Sequence, residues 1–120
     1  MTRYIDVKVY VNRLIQKTDE GRIKWEMKNP STYIYETMIE STWVAIAIQR
    51  IISIKRPPKY DYIFQIEEKT VQETEVLYVV KAERGTSSNV YIELLEKLYS
   101  SVESSAQSRA LYLLNRILED

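Results

Sequence analysis

Between residue 23 and residue 82 successive segments carry apolar side chains at every second position, and on either side of that stretch they recur at helical spacing. A period of two belongs to a strand with one face buried, and a period near 3.6 belongs to a helix with one buried stripe. The chain therefore has to build a sheet from its middle and cover it with helices from its ends.

The first helix is expected over residues 3–17, where Val7, Val11, Leu14 and Ile15 share one face. Residues 4–11 also alternate as a strand would, through Ile5, Val7, Val9 and Val11. The Leu14-Ile15 pair and the stop at Thr18-Asp19-Glu20-Gly21 favour helix, and Gly21 suits the left-handed position past a helix end. Ile23, Trp25 and Met27 then define a half-buried strand. Asn29-Pro30-Ser31 is a turn, residues 33–39 a second strand, and Glu40-Ser41-Thr42 a hairpin connection. The third strand, residues 43–54, is apolar on both sides at Val44-Ala45-Ile46-Ala47-Ile48, which predicts a central strand covered on both faces. Pro57 and Pro58 interrupt the ladder. Tyr60, Tyr62, Phe64 and Ile66 line a fourth strand, residues 67–74 read as a polar loop, and residues 75–82 form a fifth strand. From about Asn89, Tyr91, Leu94, Leu95, Leu98 and Val102 define a buried helical face. Ser104 and Gln107 have capping-box spacing and predict a break before a last helix.

Short connections favour antiparallel neighbours. The expected fold is a single α+β domain over residues 1–120: an N-terminal helix, a five-stranded antiparallel meander, and two C-terminal helices packed on one face of the sheet.

The residue inventory removes much chemistry. The chain has no histidine and no cysteine, hence no imidazole base and no thiolate, and no zinc, haem or iron–sulfur ligation of the usual kind. Glycines at positions 21 and 85 alone cannot form a phosphate-binding glycine loop. No apolar run is long enough to span a bilayer, and an acid at Asp6 stands where a signal peptide would be apolar, so the expectation is a cytoplasmic protein. Formal charge is zero overall but divided: residues 1–60 hold eleven Lys/Arg against six Asp/Glu, and residues 61–120 hold six against eleven. Such a division suits two halves attracting each other, or a polyanion-binding face opposite an acidic one. Abundant Ile and Tyr with few glycines resemble a chain adapted to heat.

The run Leu14-Ile15-Gln16-Lys17-Thr18-Asp19-Glu20-Gly21-Arg22-Ile23-Lys24-Trp25 resembles a loose family of small proteins from bacteria, phages and other mobile elements. In these a leading helix ends in Leu-Ile-x-Lys-Thr-x-x-Gly-x-Ile-x-Trp, followed by a strand meander and a leucine-rich helical pair. The chain departs from that pattern in the proline loop at residues 55–59 and in lacking glycine at the first hairpin. The resemblance implies a fold and, through a mobile-element setting, an origin; it implies no activity and carries over no site residue.

Carboxylates are the remaining catalytic candidates. Asp19-Glu20, Glu67-Glu68 and Glu119-Asp120 are adjacent pairs, and neighbours along a strand point to opposite faces. Glu26-Met27-Lys28 puts an acid and a lysine on one face of a strand, as in metal-dependent nucleases, but such a Mg²⁺ site needs a further acid on a preceding strand. Asp6 and Asp19-Glu20 are the only earlier acids, and they fall in a helix and a turn. No catalytic, cofactor, metal or small-molecule site is therefore expected.

Two surfaces stand out. Arg50, Lys55, Arg56 and Lys59 interleave with Tyr60 and Tyr62, a mixture that holds single-stranded nucleic acid in other sheets. In the last helix Leu111, Leu114 and Leu118 form one stripe and Ala110, Leu113 and Ile117 another. One can pack on the sheet, leaving the other for a partner unless the first helix covers it. The expectation is a non-enzymatic protein-interaction module that self-associates as a dimer or binds another protein. The alternative is a single-stranded nucleic-acid binder using the basic N-terminal half.

Overall fold

The computed structural model describes residues 7–52, 60–83 and 91–119. In chain order the elements are α1 (Val7–Asp19), β1 (Glu26–Asn29), β2 (Thr32–Ile39), β3 (Thr42–Ile52), β4 (Tyr60–Lys69), β5 (Thr74–Ala82) and α2 (Ile92–Glu119). The strands form one open antiparallel sheet in the order β1-β2-β3-β4-β5. Sequential neighbours pair because every described connection is too short for a crossover. The expected α+β meander is thus present, with one helix rather than two after the sheet among the described residues.

Register explains the core. Tyr33 lies opposite Ile48, Ile48 opposite Phe64, and Phe64 opposite Val80, so one row of large side chains crosses four strands on a single face. All four are buried, together with Val7 and Val11 of α1 and Leu95, Leu98, Tyr99 and Val102 of α2. Both helices therefore cover the same face. Residues 7–11 are helical, and residues 4–6 lie outside the described residues.

The opposite face of β3 departs from expectation. No described helix covers it, yet Ala45 and Ala47 are buried. Their cross-strand neighbours Glu36, Ile34, Glu67 and Gln65 are longer and close over the small methyl groups. An apolar run on both faces of a strand can therefore arise without a second covering layer.

The Lys17–Arg22 segment is a helix stop built from its own backbone. The Gly21 amide donates to the Thr18 carbonyl and the Arg22 amide to the Lys17 carbonyl, with Gly21 at φ +74°. This is a Schellman closure, and only the sign of φ requires glycine, since no atom lies within 4 Å of where a Cβ would sit. The turn sends the chain back along α1, and the buried Trp25 donates from Nε1 to Thr18 Oγ1 at 3.0 Å. Thr18 Oγ1 in turn donates to the Leu14 carbonyl at 2.7 Å. The Lys-Thr-x-x-Gly-x-Ile-x-Trp run thus closes a helix and locks the following chain onto it.

Three local expectations are corrected. Met27 is exposed rather than inward, because β1 is a four-residue edge strand beyond the helices' cover. Residues 67–69 belong to β4, since Glu67, Glu68 and Lys69 pair with Ala45, Val44 and Trp43. Finally, Ser104 and Gln107 do not open a new helix; α2 runs unbroken through them. No glycine or proline intervenes between residues 92 and 119, and an interior serine costs only tenths of a kcal/mol against about 3 for proline, so local capping signals do not interrupt a helix held by Val102 and Ala106.

Candidate interaction surface

The 28 residues of α2 span about 42 Å at 1.5 Å per residue. Its first half carries Ile92, Leu95, Leu98, Tyr99 and Val102 into the core, with Ala106 at the margin. From Gln107 to Glu119 every residue is exposed. The packing face continues along the helix as Ala110, Leu113 and Ile117, but it has run past the body it was packing on. The second stripe, Leu111, Leu114 and Leu118, lies beside it and retains 61%, 50% and 74% of its accessibility. One stripe was expected to pack; neither does, and α1 covers neither. At 100° per residue the two stripes merge into an apolar arc of about 160°, while Ser108, Arg109, Tyr112, Asn115, Arg116 and Glu119 occupy the remainder.

A helix of residues 107–119 alone would be marginal in water. Here the costly first turns are already set by the packed half, so each further residue adds a hydrogen bond to an existing helix. Arg116 Nη1 also lies 3.5 Å from Glu119 Oε2, an exposed pair spaced three residues apart.

A second feature lies between α1 and the sheet. The register of β4 and β5 sets Ile66 opposite Tyr78 and Glu67 opposite Val76, so Leu77 is an extra residue in a β-bulge. The bulge brings both Leu77 and Tyr78 to a groove of about 780 Å³ whose floor includes Phe64 and Ile66 and whose wall on α1 is Tyr10 and Leu14. Arg13 and Lys17, one turn apart on α1, also line it.

The basic–aromatic cluster is assembled differently from its appearance in the sequence. Arg50 stacks on the rings of Tyr60 at 4.2 Å and Tyr99 at 4.7 Å, so α2 supplies a ring that the sequence reading did not include. Tyr62 is buried and packs at 5.9 Å from Tyr99; Tyr60 is at the rim. Tyr33 meets Tyr99 edge-on at 5.7 Å. Burial, with the charge of Glu103 adding to it, raises the Tyr33 phenol above its ordinary range. Burial also raises Tyr99, with the Arg50 charge opposing. Lys55, Arg56 and Lys59 lie outside the described residues.

The acidic candidates stay apart. Glu26 and Lys28 are exposed on the edge strand. Glu20 pairs with Arg22 at 3.6 Å, and Glu119 pairs with Arg116. Among the described residues no three acidic side chains converge where they could hold a metal ion, and no helix is long and apolar enough to cross a membrane.

No protein-family model, no curated protein and no solved structure matches this chain.

Proposed function

We propose that the protein is a non-enzymatic interaction module whose docking element is the exposed half of α2 and which self-associates through it. The observation that carries this reading is the unbroken exposure of residues 107–119 with their apolar arc. A contiguous apolar patch of this kind is rare on a protein surface that meets only water. Five leucine and isoleucine side chains on the arm together retain the exposure of about three complete ones, each of which gains about 1.5–3 kcal/mol when buried.

The alternative, contact with single-stranded nucleic acid near Arg50, gains less support. Base stacking needs open aromatic faces and open cations. Tyr62 is buried and Arg50 lies against Tyr60 and Tyr99.

Light scattering on a sizing column over a range of protein concentrations tests the preferred reading. A mass of two chains that declines toward one on dilution supports it. A mass of one chain at all concentrations up to about 100 μM, where even a weak interface would assemble, sinks self-association.

A further inference from the structure

We infer that the docking site for the α2 arm is the groove between α1 and β4–β5 of a second copy of this chain, so that two copies exchange arms reciprocally. The inference rests on the reading of α2 as the docking element and adds where the arm goes.

Two observations select this occupant. The first is shape. The arm's apolar arc is about 160° wide, from Leu113 at one margin to Leu111 and Leu118 at the other, whereas a seam between two helices uses only the narrower stripe of one heptad face. A groove with a helical wall and a sheet floor meets such an arc on both flanks. Tyr10 and Leu14 supply the wall, and Ile66, Leu77 and Tyr78 the floor.

The second is area. The four exposed leucines and the isoleucine of the arc offer on the order of 400 Å² of apolar surface per arm. With an equal area covered in the groove, one arm–groove contact buries roughly 800 Å², below what a stable interface needs, and two reciprocal contacts bury roughly 1,600 Å², a standard one. A symmetric exchange therefore suffices where a single contact would not, and it closes the assembly at two copies rather than propagating a chain.

The absence of cysteine makes cross-linking clean. Leu118→Cys on the arm and Leu77→Cys in the groove are both at exposed positions. Each is produced separately, one bearing a size tag. The two are mixed to allow exchange, then oxidised with copper–phenanthroline and read on a non-reducing gel. Tyr10→Cys, on the opposite wall, replaces Leu77→Cys if circular dichroism shows that variant misfolded. The expected result is a mixed dimer at least tenfold more abundant than the Leu118→Cys self-dimer. If Leu118→Cys cross-links to itself and not to either groove position, arms pair with arms: the groove assignment falls while self-association through α2 stands. If neither cross-link forms and the scattering mass is that of one chain, both fall. If the mass is that of two chains and neither cross-link forms, the interface lies elsewhere and both readings fall again.

Discussion

The hydrogen bond from Trp25 Nε1 to Thr18 Oγ1 joins the end of α1 to the start of the sheet, and its contribution can be worked out from its surroundings. Trp25 is 5% exposed and Thr18 1%, so neither group has water to turn to. Thr18→Val keeps the side chain's shape and nearly its helix tendency but removes the acceptor. A stranded buried donor costs about 1–3 kcal/mol. The methyl that replaces the hydroxyl returns up to about 0.8 kcal/mol. The net loss is about 0.2–2.2 kcal/mol, and with a melting entropy of roughly 0.25 kcal/mol/K for 120 residues it lowers Tm by about 1–9 °C. The sharper measurement is a double-mutant cycle with Trp25→Phe, followed by urea unfolding and far-ultraviolet circular dichroism. Trp25→Phe removes the donor, so in the Thr18→Val background its cost falls by the coupling energy, about 1–2 kcal/mol. A coupling energy within about 0.3 kcal/mol of zero refutes the reasoning and leaves the Thr-x-x-Gly-x-Ile-x-Trp run to be explained by packing and the Gly21 turn alone.

Other outcomes follow from the same geometry. Leu114→Glu with Leu118→Glu leaves monomer stability within about 0.5 kcal/mol of the parent, because neither side chain packs on the body, while weakening self-association; unfolding of the double variant in urea at much lower concentration would show that the arm supports its own fold. The hairpin residues Glu40 and Ser41 both have positive φ, at 51° and 69°, so Glu40→Asn with Ser41→Gly raises stability by about 1–2 kcal/mol in the same assay. Tyr33 and Tyr99 have raised folded-state pKa values, so their contribution is full below the unfolded value of 10.0 and is lost as pH rises from there through the folded values. Urea midpoints measured at increasing alkaline pH decline accordingly, and Tyr33→Phe makes the decline shallower; an unchanged slope in that variant contradicts the assignment.

Much of the sheet was legible because alternation is a property of each strand taken alone. Period sets Tyr62 and Phe64 on one face of the fourth strand, and both are buried there. Met27 obeyed the same period yet points to solvent, because inwardness requires a covering layer and none reaches the edge strand. Ser104 and Gln107 misled for the opposite reason: a capping signal states what a helix start could use, not whether the chain needs to stop. Leu111, Leu114 and Leu118 were recognisable as an apolar stripe. That the neighbouring stripe is equally bare was not, because it depends on the length of α2 relative to the body beneath it. The groove was invisible for a related reason, since it is made by one unpaired residue, Leu77, whose effect appears only once β4 and β5 are in register.

The continuity of α2 has a dynamic consequence. One helix holds residues anchored among core side chains at one end and residues held only by their own backbone at the other. Amide exchange along it should therefore form a gradient, slow near Leu98 and faster turn by turn toward Glu119, as openings pass from global to local. A partner seated on the arm would level that gradient, making the helix a ruler on which occupancy can be read residue by residue.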